Sequence, residues 1–404
     1  MAAIFICGAE CGVDGAGSAP GTGGVLHWNV FTGTVTVDTG TFRSPGVRSY
    51  KMTSAAGAAN YLQKTITGLP TILVARFYLY FSALPSADCA IAVARATAGS
   101  WPFVFYRSSD TKIYASIGAS GPTLGATGAT VTTGQWYRID FKADVSGATR
   151  TTDVSVNGVA LGQASTALAA STLTAFYIGA NVDTTTANHT HFVDDIAVSL
   201  TSGDFPIGDG VVVGLYPSAD GTHSYNAAGD FNYENTTNVP TSATDTWSHV
   251  NSVLDTTIGN FLGVPAASNT EYLEWQFQDT PSDVSSILGV EVVMASHSAT
   301  TTANKQTLRI NDNGTLSDVC TDLDQSQTTI TYHTKQYATA PSTSAAWSKT
   351  LVDGLRARWN SSYGTVDESP VPFIDGVCFE VGYVQSVAAA AALDPMGMMG
   401  FFGA

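Results

Sequence analysis

Two histidines, His189 and His191, lie two residues apart, and Asp194 and Asp195 follow closely. Side chains at positions i and i+2 of a strand share one face, so this group has the spacing to hold zinc or, through the aspartates, calcium. The surrounding segment is rich in Thr, however, and we expect these histidines to be exposed in a turn. Asn311-Asp-Asn-Gly314 begins like a calcium loop but lacks the spacing of the full motif, which favours a hairpin turn. We therefore predict no metal site and no cofactor.

Paired carboxylates are the groups that would hydrolyse a glycosidic bond, since one acts as the acid and the other as base or nucleophile. Glu271 and Glu274 come nearest to such a pair, but a spacing of three residues puts them on opposite faces of a strand. The sequence contains no Gly-x-Ser-x-Gly, phosphate-loop or His-Glu-x-x-His motif. We predict that the protein is not an enzyme, and a polysaccharide hydrolase is the least favoured alternative.

Trp101 is the candidate for contact with a sugar, because an aromatic ring beside polar groups can stack on a pyranose ring. It stands in the turn-like sequence Gly-Ser-Trp-Pro and precedes Phe103. The same surroundings fit a ring that covers its own hydrophobic core. Both interpretations stay open, and the core interpretation is the favoured one.

The last residues, 386–404, differ from the rest of the chain. Five alanines lead into a segment rich in Met and Phe, which would promote aggregation if it were exposed. Adaptable Met and large Phe side chains give good contact area, so we predict that this tail packs on a neighbouring subunit, with a frayed terminus as the alternative. Its candidate partner-binding residues are Met396, Met398, Met399, Phe401 and Phe402.

The composition narrows the class of partners. Only 12% of the 404 residues are charged, and 17 Lys and Arg stand against 33 Asp and Glu, for a formal charge of -16. An acidic surface repels phosphate, so we predict no binding to nucleic acid or to an anionic membrane. The scarcity of Lys and Glu also disfavours helical bundles, whose exposed faces depend on these residues.

Strands are the elements that position these residues. From Tyr137 to Val145 apolar residues alternate with charged ones, which predicts a strand with one dry and one wet face. Asn157-Gly158 then supplies the positive φ angles of a two-residue hairpin, and Ile72 to Phe81 predicts a longer, more buried strand. One short helix is predicted within Ser348–Trp359. Many short strands without intervening helices predict an all-β protein built from antiparallel β-sandwiches.

A polar segment with Gly and Pro, residues 201–210, is the predicted linker. It divides the chain into two tandem antiparallel β-sandwich (jelly-roll) domains, residues 1–200 and 211–385, followed by the apolar tail. The five cysteines are odd in number and lack CxxC spacing, which predicts reduced, structural thiols in a chain that folds in a cytoplasm. They are Cys7, Cys11, Cys89, Cys320 and Cys378.

Three segments in the first half resemble a laminin-G-like, concanavalin A-like jelly roll. In this fold family a Trp opens a central strand, an Asn-Gly hairpin follows, and an Asp-Asp-Ile/Val strand closes the domain. The matching segments here are Gly134-Gln-Trp-Tyr-Arg-Ile-Asp-Phe, Val154-Ser-Val-Asn-Gly-Val and Phe192-Val-Asp-Asp-Ile-Ala-Val.

The start of the chain is similar to bacteriophage virion proteins with this fold. The similarity lies in Phe5-Ile-Cys-Gly-Ala-Glu-Cys-Gly and Gly46-Val-Arg-Ser-Tyr-Lys, and Gly208–Pro217 and Val377–Val384 resemble the ends of the distal β-rich domain of such proteins. The resemblance implies a structural component of the virion, such as a capsid decoration, tail, fibre or collar protein. Such a protein is assembled in the host cytoplasm and contacts copies of itself and other virion proteins.

The alternative function is a carbohydrate-binding adhesin that recognises host-surface glycans. A protein of that kind should present a concave site with exposed Trp or Tyr side chains, whereas an assembly protein should present flat surfaces covered by other proteins.

Overall fold

The structure is a computed structural model, and it describes residues 3–11, 28–54, 59–118, 122–180, 188–222, 250, 262–263, 272–298, 304–325, 330–362 and 372–386. The first part of the chain contains strands β1 (Phe5–Cys7), β2 (Val30–Thr32), β3 (Thr34–Asp38), β4 (Ser49–Ser54), β5 (Asn60–Thr65), β6 (Ile72–Ala83), β7 (Cys89–Ala96), β8 (Trp101–Arg107), β9 (Lys112–Gly118), β10 (Thr123–Leu124), β11 (Ala129–Thr130), β12 (Trp136–Asp144), β13 (Thr149–Val156), β14 (Val159–Ala160), β15 (Ala164–Ala167), β16 (Leu173–Ala180) and β17 (His189–Ser199).

A 3-10 turn, Ser202–Asp204, precedes the remaining elements. They are β18 (Val211–Leu215), β19 (Pro217–Asp220), β20 (Leu262–Gly263), β21 (Leu273–Phe277), β22 (Val284–Ser298), β23 (Asn304–Asp312), β24 (Thr315–Gln325), β25 (Thr331–Tyr337), the helix α1 (Lys349–Asp353), β26 (Arg356–Ser362) and β27 (Pro372–Gln385). Within the described ranges, neither helical segment has the length and apolar character that crossing a bilayer requires.

Within the described residues the strands form four sheets, and their pairings are antiparallel. Sheet A has the order β14-β13-β12-β6-β17-β4-β3, with β1 added to β17 and β15 to β13, and sheet B has the order β10-β9-β8-β7-β16-β5-β2, with β11 on β9. Sheet C has the order β18-β27-β22-β25, with β20 on β27, and sheet D the order β19-β21-β26-β23-β24.

Each pair of sheets encloses its own hydrophobic core. Phe77 and Phe141 of sheet A meet Phe176 of sheet B in the first core. Trp275 and Trp359 of sheet D lie in the second core, together with inward side chains of sheet C. The prediction of an all-β, sandwich-type fold is therefore confirmed.

Strand β12 shows the predicted alternation, with one deviation. Its apolar positions, such as Ile139 and Phe141, are fully buried in the first core. Asp140, predicted on the wet face, is also fully buried. The nitrogen of Gly208 donates to its carboxylate over 3.1 Å, and Arg138 Nε does so over 3.1 Å, because the segment after β17 folds back over this face of sheet A.

The outer faces of sheets A and C pack against each other around β1. Ile6 faces sheet C, where a Cβ on Gly382 would lie only 2.9 Å from its Cγ2 atom. The amide of Gln336 acts like a strand partner of Ile6, since its Oε1 accepts from Ile6 N over 3.2 Å and its Nε2 donates to Ile6 O over 2.9 Å. The sheets therefore stack in the order B, A, C, D.

The prediction of reduced thiols is wrong for two cysteines. Cys11 and Cys378 form a disulfide, with Cα atoms 6.3 Å apart, that ties the segment after β1 to strand β27. The stacking of the sheets brings together residues 367 positions apart in the chain, a proximity that Cys spacing does not reveal. Cys7, Cys89 and Cys320 are free thiols.

The predicted turns and the predicted helix have different outcomes. Asn157 and Gly158 have φ angles of 51° and 81° and connect β13 to β14, as expected. Asn313 and Gly314, at 48° and 88°, likewise form the hairpin turn between β23 and β24. The helix predicted within Ser348–Trp359 is confined to α1, since β26 begins at Arg356 and pairs with β21 and β23.

Candidate ligand-binding surface

An aromatic row crosses the outer face of sheet A. Trp136 of β12 pairs with Tyr80 of β6, Tyr80 pairs with Phe192 of β17, and Phe192 pairs with Lys51 of β4. Paired residues of adjacent strands project from the same face of a sheet. With strands spaced about 4.8 Å apart, the row from Trp136 to Lys51 is roughly 14 Å long. We call Trp136, Tyr80 and Phe192 the aromatic row.

The rings of the aromatic row contact one another and leave two members accessible. The ring centroids of Trp136 and Tyr80 are 5.4 Å apart, and those of Tyr80 and Phe192 are 5.7 Å apart. Trp136 and Tyr80 are partly exposed, whereas Phe192 is buried between its neighbours. Lys51 Nζ lies 5.8 Å above the Phe192 ring and ends the row. The surface therefore presents one indole and one phenol to solvent.

A row of hydroxyl side chains runs beside the aromatic row, two residues further along each strand. Thr190 pairs with Thr53, and Thr53 pairs with Thr34 on the edge strand β3. Ser82 extends the row on β6, where its Oγ donates to Thr190 O over 3.1 Å. Thr53, Thr34 and Ser82 are exposed. Apolar ring surface thus lies next to groups that both donate and accept hydrogen bonds.

The opposite side of the aromatic row is bordered by the loop between β3 and β4. Arg43 of this loop stacks on Tyr78, with 3.7 Å between its guanidinium carbon and the ring centroid. Its Nη1 donates to Asp195 over 2.8 Å, and its Nη2 donates to Asp209 over 3.0 Å. The backbone nitrogen of Arg43 donates to Asp194 over 2.9 Å. The Asp-Asp pair of the closing strand therefore holds this loop in place.

Burial is the largest influence on the pKa values of Asp194 and Asp195. It raises the pKa of Asp194 well above the ordinary value, and the neighbouring Asp195 carboxylate adds to the rise. It also raises the pKa of Asp195, although the Arg43 guanidinium opposes the change. Both side chains have no exposed surface, so their role is to anchor neighbouring backbone and cations.

Trp101 lies on sheet B and is not brought to the aromatic row. Its Nε1 donates to the carbonyl of Ala96 over 3.1 Å, and the guanidinium carbon of Arg95 lies 4.8 Å from its ring centroid. The ring is half-buried and packs against the first core. The five candidate residues of the tail, Met396, Met398, Met399, Phe401 and Phe402, lie outside the described residues.

The expected exposure of the two histidines is wrong. His189 is 3% exposed and His191 is fully buried, because both side chains of β17 face the interior between sheets A and B. Asp194 and Asp195 bind the Arg43 loop and do not join them. Across the part of the chain that the structure describes, no three His, Cys, Asp or Glu side chains form a metal-ligand group.

Glu274, one of the two carboxylates weighed for hydrolysis, is buried within an ionic cluster on sheet D. It accepts hydrogen bonds from Arg358 Nη2 over 2.8 Å and from Asn311 Nδ2 over 2.9 Å. Burial alone would raise the pKa of Glu274, but these hydrogen bonds outweigh it and lower the pKa. A carboxylate held in its charged form is a poor proton donor. Glu271 lies outside the described residues.

Sequence reasoning missed the aromatic row. In the sequence Trp136 serves only as a marker of the fold, and Tyr80 and Phe192 belong to strands more than 50 residues away on either side of it. The available signal was local: Trp136 directly precedes the strand predicted from Tyr137 to Val145 and continues its wet face, where a large aromatic side chain is uncommon.

Comparisons with known proteins give similarity at the level of fold alone. No family model matches the chain, and no curated protein matches it. Among solved structures, the cellulose-induced protein Cip1 is 17% identical over 49% of this chain and 97% of its own, with a TM-score of 0.36. Domain 4 of the arabinanase AbnA from Geobacillus stearothermophilus, in complex with arabinotriose, is 13% identical over 44% of this chain and 86% of its own, with a TM-score of 0.33. The carbohydrate-binding module CBM66 from Bacillus subtilis is 7% identical over 42% and 96%, with a TM-score of 0.27.

Proposed function

We propose that the protein binds glycans without chemical turnover, and that the aromatic row is its binding surface. The observation that carries the proposal is the pairing of an accessible indole and phenol with a parallel row of hydroxyl groups on one sheet face. The apolar C–H face of a sugar ring stacks on an aromatic plane, and the hydroxyls at its edge need hydrogen-bonding partners at its side.

The dimensions and charge favour a neutral oligosaccharide. The row is roughly 14 Å long, about the length of a di- or trisaccharide. Lys51 is the cation at its end, and Asp38 Oδ2 lies 4.0 Å from its Nζ. Because the whole chain carries a formal charge of -16, an acidic polysaccharide would be repelled at long range.

Screening on an array of neutral and acidic glycans, followed by titration calorimetry, tests this proposal. Replacing Trp136 with Ala removes one of the two accessible rings, and we expect the affinity for the best neutral glycan to fall about tenfold or more, or at least 1.4 kcal/mol. Tyr61→Ala is the matched control, since Tyr61 is half-buried on the outer face of sheet B. No binding to any glycan, or an equal loss in both variants, would contradict the proposal.

A second candidate is a structural role in a phage virion, and we propose it on a different observation. The disulfide between Cys11 and Cys378 closes the two pairs of sheets into one covalently tied unit, which suits a part that must withstand mechanical load. In this role the protein is assembled in the host cytoplasm, the disulfide forms after release from that reducing compartment, and the protein contacts copies of itself and other virion proteins. A glycan-binding fibre would combine both functions.

Light scattering on the full chain and on a chain that ends at Val387 tests the assembly role. We expect a defined oligomer that dissociates when the residues after Val387 are removed. A monomer in both cases would contradict self-assembly without affecting the glycan-binding proposal, because the aromatic row lies on sheet A.

A further inference from the structure

One end of the first core contains polar and sulfur-bearing side chains where hydrocarbon would be expected. His191 and Met52 are directly opposite each other on β17 and β4, and both are fully buried. His189 follows on the same face, and its ring centroid lies 4.8 Å from that of His191. Asn60 of sheet B, also fully buried, belongs to the same end of the core.

The polar atoms here are incompletely satisfied. Among the residues that the structure describes, neither Nδ1 nor Nε2 of His191 has a hydrogen-bond partner, and Asn60 Oδ1 also lacks one. A buried polar group without a partner costs about 1–3 kcal/mol, so such groups normally face a water or an ion.

The backbone leaves room for these side chains. Gly179 of β16 has a φ of 123°, and a Cβ there would lie 3.0 Å from Met52 Sδ and 2.4 Å from the carbonyl oxygen of Asn60. Any larger residue would displace the thioether. The Phe81 ring, 6.2 Å from the His191 ring, gives this region an apolar wall.

We propose that His189, His191 and Met52 form a copper(I) site at this end of the first core. Two imidazoles and a thioether are soft, neutral ligands, a set that favours Cu(I) over Zn(II). The two neighbours named above, Phe81 and Asn60, carry no charge. Burying a divalent ion without an anionic ligand costs far more than burying a monovalent one. Copper and zinc can therefore be told apart by experiment.

Anaerobic titration of the full chain with Cu(I), against bicinchoninate as the competing chelator, tests the site. Cys320→Ser serves as the background, because Cys320 is a partly exposed free thiol that would bind copper by itself. We expect one tightly held Cu(I) per chain, a sulfur ligand in the X-ray absorption spectrum, and no comparable binding of Zn(II).

Two variants separate a ligand from a packing residue. Met52→Leu conserves volume and fold but removes the thioether, and we expect it to weaken Cu(I) binding by roughly tenfold or more and to abolish the sulfur signal. His333→Gln is the matched control, since His333 is a largely buried histidine on sheet C. Absence of Cu(I) binding, equal affinity for Zn(II), or an unchanged Met52→Leu variant would overturn the proposal.

Discussion

Replacing Arg43 with Ala tests whether buried charges hold the loop beside the aromatic row. The variant removes three hydrogen bonds, to Asp195 and Gly210 O over 2.8 Å and to Asp209 over 3.0 Å, and the stacking on Tyr78. Asp195 has no exposed surface. In the variant, the hydrogen bond that remains on its carboxylate among the described residues is the one donated by the nitrogen of Val212 over 2.6 Å.

The expected magnitude follows from this burial. Removing one partner of a buried ion pair leaves an uncompensated charge and costs about 3–5 kcal/mol. Because the nitrogen of Val212 still donates to the carboxylate and the buried Arg76 guanidinium still lowers the pKa of Asp195, we expect a value near the lower limit, about 3 kcal/mol. The control Arg309→Ala breaks a pair with side chains 35% and 52% exposed, and should cost less than about 1 kcal/mol.

Urea unfolding, followed by tryptophan fluorescence, measures the free energy of unfolding of both variants. A second arm varies the pH. Without Arg43 the pKa of Asp195 rises further, so acidification protonates the orphaned carboxylate and the difference from the parent protein shrinks as pH falls from neutral. A loss at neutral pH no larger than that of Arg309→Ala, or a loss independent of pH, would refute the reasoning.

Three further predictions concern the contact between sheets A and C. Burial raises the pKa of Glu10 well above its ordinary value, so the folded state binds the proton more tightly than the unfolded state. The free energy of unfolding should therefore fall as pH rises from the unfolded-state pKa through the higher folded-state pKa. A series of urea unfolding curves across pH should show this fall, and Glu10→Gln should flatten it. Reducing the disulfide between Cys11 and Cys378 should lower the free energy of unfolding by about 2–5 kcal/mol, measured with and without reductant, and no change would contradict its stabilising role. Gly382→Ala would bring a Cβ against Ile6 of sheet A and should cost about 1–3 kcal/mol in thermal and urea unfolding. Gly203→Ala should cost far less, because its Cβ would meet no atom of the described residues within 4 Å.

The sequence predicts individual strands and turns better than it predicts which of them pack together. The alternation around Ile139 and Phe141 and the Asn157-Gly158 hairpin are local signals, and each specifies its own structure. The disulfide depends on the stacking of sheets, which no local signal encodes. The same is true of Asp140, whose wet-face position is covered by a later segment of the chain.

The candidate site also depends on contacts between distant segments, so local sequence patterns do not predict it. Trp136, Tyr80 and Phe192 become neighbours only through the strand order β12-β6-β17, which single-strand patterns do not reveal. The Thr-rich sequence before His191 indicates a turn, but His191 lies in β17, beside Met52 of β4, on the face between sheets A and B, and it is therefore buried.

Nuclear magnetic resonance of the indole N–H groups tests the proposed function most directly. The chain has seven tryptophans, so the spectrum is simple, and Trp136→Phe and Trp101→Phe assign the two relevant signals. We predict that adding the best neutral glycan from the array shifts the Trp136 signal in a saturable way and leaves the Trp101 signal unchanged. A Trp136 signal that stays fixed while the glycan binds would place the site elsewhere and contradict the assignment of the aromatic row.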